Sequence, residues 1–328
     1  MPTNWRQLHG EAFHDMPVLV TGGAGFIGSH LVDALVALGA RVTVLDDLST
    51  GDQNNLAHHP ELRFVQGSIL DAHALADAAR DARCVFHLAA LASVPESIER
   101  PGAYHDVNAT GTLRVLEAAR DAPATRVIFA ASSAAYGNAE ALPIAEATEP
   151  MPLSPYAASK LAGEAMLHAF AHSYASLDTV SLRYFNIFGP RQNANSAYAA
   201  VIAAFADALT HGRAARIFGD GEQSRDFTAV ANAVHANLLA ARAAAPLAGR
   251  AINVATGVRT TVNELAHRMA ALLGRAELAP EHAPARAGDA RHSVADLARA
   301  RALLGYEPVV DFDEGLRATV DWYRQAIA

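Results

Sequence analysis

A glycine-rich loop between a short apolar strand and a helix constrains this chain more than any other feature. The apolar run 18–20 and Thr21 lead directly into the sequence GGAGFIG at 22–28, and helix-forming residues follow. Gly22 permits a tight turn, Gly25 lets a pyrophosphate approach the backbone, and Gly28 lets the helix pack on the strand. Backbone N–H groups at the start of the helix would then bind the phosphates. The sequence therefore predicts a dinucleotide site at this junction.

An aspartate at the end of the second predicted strand indicates which dinucleotide binds. Asp46 closes the run Val42–Asp46, and a carboxylate at that place can accept hydrogen bonds from the ribose hydroxyls of adenosine. It would repel a 2′-phosphate, so NAD is favoured over NADP. The alternative is that Asp46 is only a solvated strand end.

The first half of the chain alternates short β-branched runs with longer helix-forming segments. The predicted strands are 18–20, 41–45, 62–66, 84–88, 126–130 and 179–184. The predicted helices are 26–38, 72–80, 103–121 and 156–174. This order predicts an α/β fold of Rossmann type, with a doubly wound parallel sheet whose strands end at one ligand-binding edge.

The strand–helix alternation loosens after Gly189-Pro190, which suggests a second unit. We predict an NAD-binding domain at 1–188 with a further part at 225–257. A smaller mixed α/β C-terminal lobe, 189–224 and 258–328, would bind the substrate. Residues 230–254 are expected to return to the large sheet.

Charge and cysteine content limit the class of partner and the compartment. The formal net charge of −8 provides no basic field for a phosphate backbone, so we predict no nucleic-acid partner. The single cysteine, Cys84, excludes an intrachain disulfide and indicates a reducing compartment. Residues 1–16 lack the apolar stretch of a signal peptide, and no segment has the roughly 18–20 apolar residues of a membrane helix. We expect a cytoplasmic protein with no membrane partner.

Tyr156 and Lys160, in the sequence YAASK, are spaced to share one face of a helix. A phenol with its usual pKa of about 10 is a poor base at neutral pH, but a neighbouring cation stabilises the phenolate and lowers that pKa. Ser132 follows the fifth predicted strand and could share its proton with Tyr156. The alternatives are a tyrosine packed under a lysine stem and a serine that caps a turn.

Further segments carry a specific resemblance along nearly the whole chain. They are TGGAGFIGSH from Thr21, DDLSTG from Asp46, SVPESI from Ser93, ASSAAYG from Ala131, SPYAASK from Ser154, LRYFNIFGPRQ from Leu182, AYAAVI from Ala197, GDGEQSRDF from Gly219 and RAGDARHSVAD from Arg286. With these segments the chain resembles the extended short-chain dehydrogenases/reductases, and within them the UDP-sugar 4-epimerases.

The resemblance implies a catalytic set and a reaction. Tyr156 would be the base, Lys160 would hold the nicotinamide ribose, and Ser132 would assist. NAD would oxidise C4 of a UDP-hexose to a transient 4-keto sugar and then reduce its other face. Because that reaction has no net redox change, NAD would stay bound.

The resemblance also implies which residues contact NAD. They are Gly22, Gly25, Phe26, Ile27, Gly28, Asp46, Ser49, Gly51, Ser68, Ile69, Leu88, Ala89, Ala90, Asn108, Tyr156, Lys160 and Tyr184. Ser68 stands where the family usually has an aspartate that binds the adenine amino group, so adenine recognition is expected to be weaker. No residue is assigned to a metal ion.

The substrate residues follow from the same resemblance. Arg225 and Arg286 would bind the UDP diphosphate, Asn186 the phosphate or sugar, and Asp289 the uridine ribose. The uracil would lie between 199–202 and 217–218, including Ala199, Val201, Ile217 and Phe218. The sugar would lie near Ser93, Ser132, Ser133, Tyr156 and Ser293.

Ser293 indicates the substrate branch. In the resembled epimerases a tyrosine at this position excludes an N-acetyl group at C2, whereas serine leaves room. The resemblance therefore favours UDP-GlcNAc/UDP-GalNAc or their uronic acids, although Ala92 replaces a glycine of that branch and puts the C2 preference in doubt.

Several alternatives stay open at this point. They are a 4-epimerase of UDP-glucose or UDP-glucuronic acid, a nucleotide-sugar dehydratase, and a non-catalytic NAD-binding module. The family often dimerises through two helices, here 103–121 and 156–174, so a homodimer is expected.

Overall fold

The structure is a computed structural model and describes residues 3–192, 201–285 and 291–327. The strands are β1 Pro17–Thr21, β2 Arg41–Asp46, β3 Arg63–Gln66, β4 Cys84–His87, β5 Arg126–Ser132, β6 Asp178–Tyr184, β7 Ile187–Phe188, β8 Arg216–Phe218, β9 Ser224–Arg225, β10 Thr228–Ala229, β11 Arg250–Val254, β12 Thr260–Thr261 and β13 Glu281–Ala283.

The helices surround these strands. They are α1 Trp5–His9, α2 Phe26–Ala37, α3 Ala72–Ala79, α4 Val94–Glu99, α5 Pro101–Tyr104, α6 Gly111–Asp121, α7 Pro155–Ser173, α8 Val201–Thr210, α9 Val230–Arg242, α10 Val262–Leu272, α11 Ala298–Leu304 and α12 Phe312–Ile327. Short 3₁₀ turns cover Gln53–Leu56 and Ser133–Tyr136, and a π-helical turn covers His105–Thr110. No helix within the described ranges is long and apolar enough to cross a membrane.

Seven strands form one parallel sheet in the order β11-β6-β5-β4-β1-β2-β3. The chain starts at β1, builds outward to β3, and then returns to the other side of β1 with β4. That reversal is the switch point at which doubly wound sheets bind ligands. The predicted α/β fold is confirmed, and so is the return of the segment after 230 to the sheet, because β11 pairs with β6.

The sheet is buried on both faces because its strands carry apolar residues at consecutive positions. In β1, Val20 packs with α2 and α9 on one face, whereas Leu19 packs with α3 and α6 on the other. Side chains alternate between faces along a strand, so this one apolar run contributes to two cores. Parallel sheets covered by helices on both faces have this pattern.

A third core lies beside the sheet and is built from residues of the second half. Helices α8, α10 and α12 supply most of it, and Phe188 and Phe227 join them. Leu297 and Tyr306, however, pack into the core of the large sheet. The domain limits given above stay a prediction.

The helix predicted at 103–121 is not continuous. Its first half forms α5 and the π-helical turn His105–Thr110, and only Gly111–Asp121 is a regular α-helix. Single π turns inside helices occur frequently at functional sites. Here the turn carries Asn108, whose amide is fully used in contacts outside the helix.

Candidate active site

A cavity of about 280 Å³ opens at the carboxyl ends of the central strands. Most residues predicted to contact NAD line it, namely Gly22, Gly25, Phe26, Ile27, Gly28, Asp46, Ser49, Ile69, Leu88, Ala89, Ala90, Tyr156, Lys160 and Tyr184. The glycine loop and the Tyr156/Lys160 pair therefore face one common space.

The glycine loop is packed too tightly for side chains at two positions. Gly22 has φ +72°, and a Cβ there would lie 2.5 Å from the amide nitrogen of Ala89. A Cβ on Gly28 would lie 2.0 Å from the carbonyl oxygen of Gly22. Gly25 begins α2 without a side-chain cap, so N–H groups at the helix start remain for a ligand. This cradle suits a diphosphate.

Asp46 ends β2 at the far side of the loop. Its carboxylate accepts hydrogen bonds from the backbone N–H groups of Ala24 and Leu48, both at 2.9 Å. Burial raises the pKa of Asp46, and these two bonds oppose the rise. A carboxylate has about four acceptor positions, so it can still accept from ribose hydroxyls. The site therefore fits the adenosine half of NAD.

Tyr156 lies in the first turn of α7. Pro155 and the Ser154 side chain, which accepts a hydrogen bond from the Ala157 N–H at 3.1 Å, fix the start of this helix. Burial raises the pKa of the Tyr156 phenol, and a hydrogen bond with the Ser132 side chain lowers it. The two hydroxyl groups predicted to act together are thus within hydrogen-bonding reach.

Lys160 is buried one turn after Tyr156. Its Nζ donates to the Ala130 carbonyl at 2.9 Å and lies 4.8 Å from the centre of the Phe129 ring. Burial lowers the pKa of Lys160 to about 7, and the Glu164 carboxylate opposes this. The expected lowering of the Tyr156 pKa by Lys160 is not found, because the ammonium is directed to a carbonyl and burial dominates the pKa of the phenol.

A buried ion pair joins Arg183 to Glu164, which lies one turn after Lys160 on α7. Glu164 accepts two hydrogen bonds from the Arg183 guanidinium, at 2.9 and 2.6 Å, and both side chains are buried. Arg183 also lies over the Tyr136 ring at 4.6 Å. The carboxylate that opposes the lowering of the Lys160 pKa is therefore already paired with Arg183.

A buried hydrogen-bond chain links the glycine strand to the π-helical turn. Thr112 Oγ1 donates to the Asn108 carbonyl at 2.6 Å, so it must accept from Nε2 of His87, which lies at 2.9 Å. Nδ1 of His87 is then an acceptor, and the Thr21 hydroxyl donates to it at 2.8 Å. The Thr21 oxygen in turn accepts from the Ala89 N–H at 3.3 Å. Burial and the charge of Lys160 lower the pKa of His87 to about 3, so the imidazole in this series of hydrogen bonds is neutral.

Three residues predicted to contact NAD do not line the cavity. The Asn108 amide bonds to the Leu91 backbone and to Ser159, at 2.9 to 3.0 Å. The Ser68 hydroxyl accepts from the Leu70 N–H at 3.2 Å. Gly51 packs against Asp46, since a Cβ there would lie 3.0 Å from Oδ1. In this structure all three support the walls of the site.

The predicted substrate residues fall into two groups. Near the sheet edge, Ser133 begins a 3₁₀ turn, and Ser93 caps α4 through a 3.2 Å bond from the Glu96 N–H. In the second half, the Ser293 N–H donates to the Ser224 carbonyl at 3.1 Å, so Ser293 lies beside the strand of Arg225.

The remaining substrate predictions are placed as follows. Asn186, with φ +38°, donates from its amide to the Asp226 carbonyl at 3.3 Å. Val201 begins α8, and Ile217 and Phe218 lie in β8. Ala199, Arg286 and Asp289 lie outside the described residues.

Sequence reasoning missed part of the cavity wall. The missed residues are Leu45, Asp47, Thr50, Gly67, Leu91, Ala92, Val107, Ala130 and Ala131. Five of them, Leu45, Asp47, Gly67, Ala130 and Ala131, lie within the last three residues of a strand or directly after one. Their position at a strand end was the available signal, because parallel strands end at the same edge of the sheet.

Known proteins resemble this chain in sequence and in fold. A UDP-glucose 4-epimerase of Mycolicibacterium smegmatis is 41% identical over 315 residues, which cover 94% of this chain and 99% of the relative. The structure of UDP-N-acetylglucosamine 4-epimerase from Methanobrevibacter ruminantium, in complex with UDP-N-acetylmuramic acid, has a TM-score of 0.90 and 42% identity, covering 95% of this chain and 99% of that one. UDP-glucose 4-epimerase of Thermus thermophilus in complex with NAD has a TM-score of 0.84 and 37% identity, covering 95% and 100%.

The family model described as "NAD dependent epimerase/dehydratase family" matches residues 18–255. This range includes the glycine loop, Asp46, Ser132 and the Tyr156/Lys160 pair. The chain belongs to the NAD dependent epimerase/dehydratase family, as its sequence segments predicted.

Proposed function

We propose that this protein is an NAD-dependent 4-epimerase of UDP-hexoses whose preferred substrates carry an N-acetyl group at C2. The observation that carries the proposal is the meeting of Tyr156 and Lys160 at one cavity with the glycine loop, with Ser132 hydrogen-bonded to Tyr156. When bound there, NAD supplies a reversible two-electron acceptor for the hydrogen at C4 of the sugar.

The side chains of the protein then remove and return the proton at O4 of the sugar. Tyr156 accepts this proton as the 4-keto sugar forms and returns it when the ketone is reduced. Ser132 holds the reacting oxygen and the phenol in one hydrogen-bonded group. Burial raises the pKa of the phenol, so Tyr156 needs a positive charge beside it when it accepts the proton. In this structure Lys160, the cationic side chain one turn along α7, is directed to the Ala130 carbonyl and does not provide that effect. Positioned acid–base groups of this kind contribute about 10²–10⁴-fold to a rate.

Epimerisation is favoured over dehydration by the residues after Ser132. Dehydratases of nucleotide sugars need an acid and a base for elimination, typically Asp-Glu directly after the hydroxyl residue. Here Ser133 and Ala134 begin the 3₁₀ turn instead, and neither side chain can take that role. The 4-keto sugar therefore has no adjacent acid–base pair that could catalyse the elimination of water.

The C2 preference is supported by the small side chain of Ser293, next to the strand of Arg225. A bulky residue there would reduce the space for an N-acetyl group. Uronic acids with the same C2 group are included in the proposal. UDP-glucose or UDP-glucuronic acid is the alternative.

Two measurements test the proposal. A substrate with deuterium at C4 should keep its label in the epimerised product, because the hydrogen leaves and returns to the same carbon. Washout of the label into water would contradict this mechanism. In parallel, UDP-GlcNAc, UDP-GlcNAcA, UDP-glucose and UDP-glucuronic acid are compared by kcat/KM, and NMR of the products gives the C4 configuration.

The panel also separates the alternatives. Faster turnover of the N-acetylated pair supports the C2 preference, and faster turnover of the other pair removes it while leaving the epimerase. A 4-keto-6-deoxy product would show a dehydratase. If NAD binds and all four sugars remain unconverted, the protein is a non-catalytic NAD-binding module.

A further inference from the structure

Two adjacent histidines contact an aspartate on α2, the helix that follows the glycine loop. Asp33 lies in α2, and His58 and His59 follow the 3₁₀ turn Gln53–Leu56. Nε2 of His58 and Nε2 of His59 lie 2.9 and 3.0 Å from the same oxygen, Oδ1 of Asp33. One ligand atom from each residue fits within 4.8 Å of the others. His58 is exposed, Asp33 and His59 are half-buried, and all three are separate from the residues that line the active-site cavity.

These distances are close to those of a metal site. A tetrahedral zinc ion with ligands at about 2.0–2.1 Å keeps neighbouring ligand atoms about 3.3–3.4 Å apart. The observed contacts to Asp33 would have to lengthen by only about 0.4 Å, which a side-chain rotation provides. Two imidazoles and one carboxylate leave a fourth position for water, and imidazole nitrogen suits Zn²⁺, Co²⁺ and Ni²⁺.

Neighbouring charged groups hold these ligands in the orientation that a metal needs. Glu61 Oε1 lies 3.5 Å from Nδ1 of His59, the nitrogen that must carry the proton when Nε2 binds a metal. Arg191 contacts the other oxygen of Asp33, Oδ2, at 2.9 Å. That contact fixes the carboxylate and leaves Oδ1 directed at the histidines.

We propose that Asp33, His58 and His59 bind one divalent transition-metal ion of the zinc class. The ion would join α2 to the loop 53–62, which is already attached to the glycine loop through the Asn55 amide and the Ala24 carbonyl at 2.9 Å. Its role is to fasten the segment that carries the adenosine-binding side of the cavity. This role does not depend on which sugar the enzyme converts.

The test is a Co²⁺ titration of the full chain with NAD bound, after dialysis against a chelator. The expected result is one equivalent of Co²⁺ with the intense visible absorption of tetrahedral coordination, displaced by Zn²⁺. His58→Gln and His59→Gln should each weaken binding roughly 100-fold or more, because each removes a ligand. Glu61→Gln should weaken it about ten-fold, the range for a residue that orients a ligand.

A matched control comes from a second exposed histidine pair. His168 and His172 lie one turn apart on α7 with ring centres 4.3 Å apart, and a metal could bind there adventitiously. His172→Gln should leave the tetrahedral spectrum and its affinity unchanged. Saturating Zn²⁺ should also raise the unfolding temperature of the wild type and of His172→Gln, but not of His59→Gln.

Clear outcomes would overturn the proposal. They are the absence of tetrahedral Co²⁺ binding by the wild type, equal binding by wild type and His59→Gln, or loss of the signal only in His172→Gln. His58 and Glu61 are exposed, so His58→Gln and Glu61→Gln are compatible with folding and keep the test decisive even if the more buried His59→Gln does not fold.

Discussion

Replacing Lys160 by methionine should stabilise the nucleotide-free protein while removing its activity. Burial lowers the pKa of Lys160 from 10.5 to about 7. Between these two pKa values the unfolded chain binds more protons than the folded chain, so stability rises with pH through this window. The unfavourable contribution of Lys160 is complete below about pH 7 and disappears above about pH 10.5.

The magnitude follows from the same two pKa values. At about 1.4 kcal/mol for each pH unit between them, burying Lys160 costs about 4 kcal/mol near pH 7 and about 2 kcal/mol near pH 9. The methionine variant avoids this cost, but it leaves the Ala130 carbonyl without its 2.9 Å partner, a loss of about 1–3 kcal/mol. The net gain of the variant near pH 7 is therefore about 1–3 kcal/mol, and it should shrink by about 2 kcal/mol near pH 9.

The assay combines urea unfolding with a direct titration. Unfolding of wild type and Lys160→Met is followed by circular dichroism near pH 7 and pH 9. Lys160 is the only lysine in the 328-residue sequence, so lysine-specific ¹⁵N labelling gives a single side-chain signal whose midpoint should lie near pH 7. A midpoint near the ordinary lysine value, or a stability difference that is the same at both pH values, would refute the reasoning.

Three further changes test the site itself. Tyr156→Phe should lower kcat by about 10²–10⁴-fold with little change in UDP-sugar affinity, measured by calorimetry, and near-normal turnover would mean that another group is the base. Gly28→Ala places a Cβ 2.0 Å from the Gly22 carbonyl and should abolish NAD binding, whereas Gly102→Ala, with nothing within 4 Å, should not; equal NAD binding by both variants would contradict the packing. Ser293→Tyr should lower kcat/KM for N-acetylated UDP-sugars selectively, and an equal loss with UDP-glucose would contradict the steric explanation.

Much of the fold could be predicted from the sequence because its signals are local. The β1 strand, the glycine loop and the start of α2 are consecutive, so their geometry follows from neighbouring residues. The six predicted strands of the large sheet are all present, and each end lies within two residues of the predicted one. For the seventh strand, β11, the sequence predicts only that residues 230–254 return to the sheet, without the bounds of the strand.

The rest depends on contacts between distant residues. The π-helical turn depends on tertiary contacts, because its Asn108 bonds to Ser159, 51 positions along the chain. The Lys160 ammonium is directed to the Ala130 carbonyl, 30 positions away, so spacing within α7 could not predict its effect on Tyr156. His58 and His59 likewise meet Asp33 only in the folded chain.

The hydrogen-bond chain through His87 has a direction, and that direction matters for proton movement. Each hydroxyl in it donates toward one neighbour and accepts from the other, from the Ala89 N–H to the Asn108 carbonyl. Every donor along this path is occupied, and its imidazole resists a second proton down to about pH 3. At neutral pH His87 therefore does not accept a proton from Lys160. We therefore expect Tyr156 to exchange its proton on the cavity side, with Ser132 and the substrate, and not through His87.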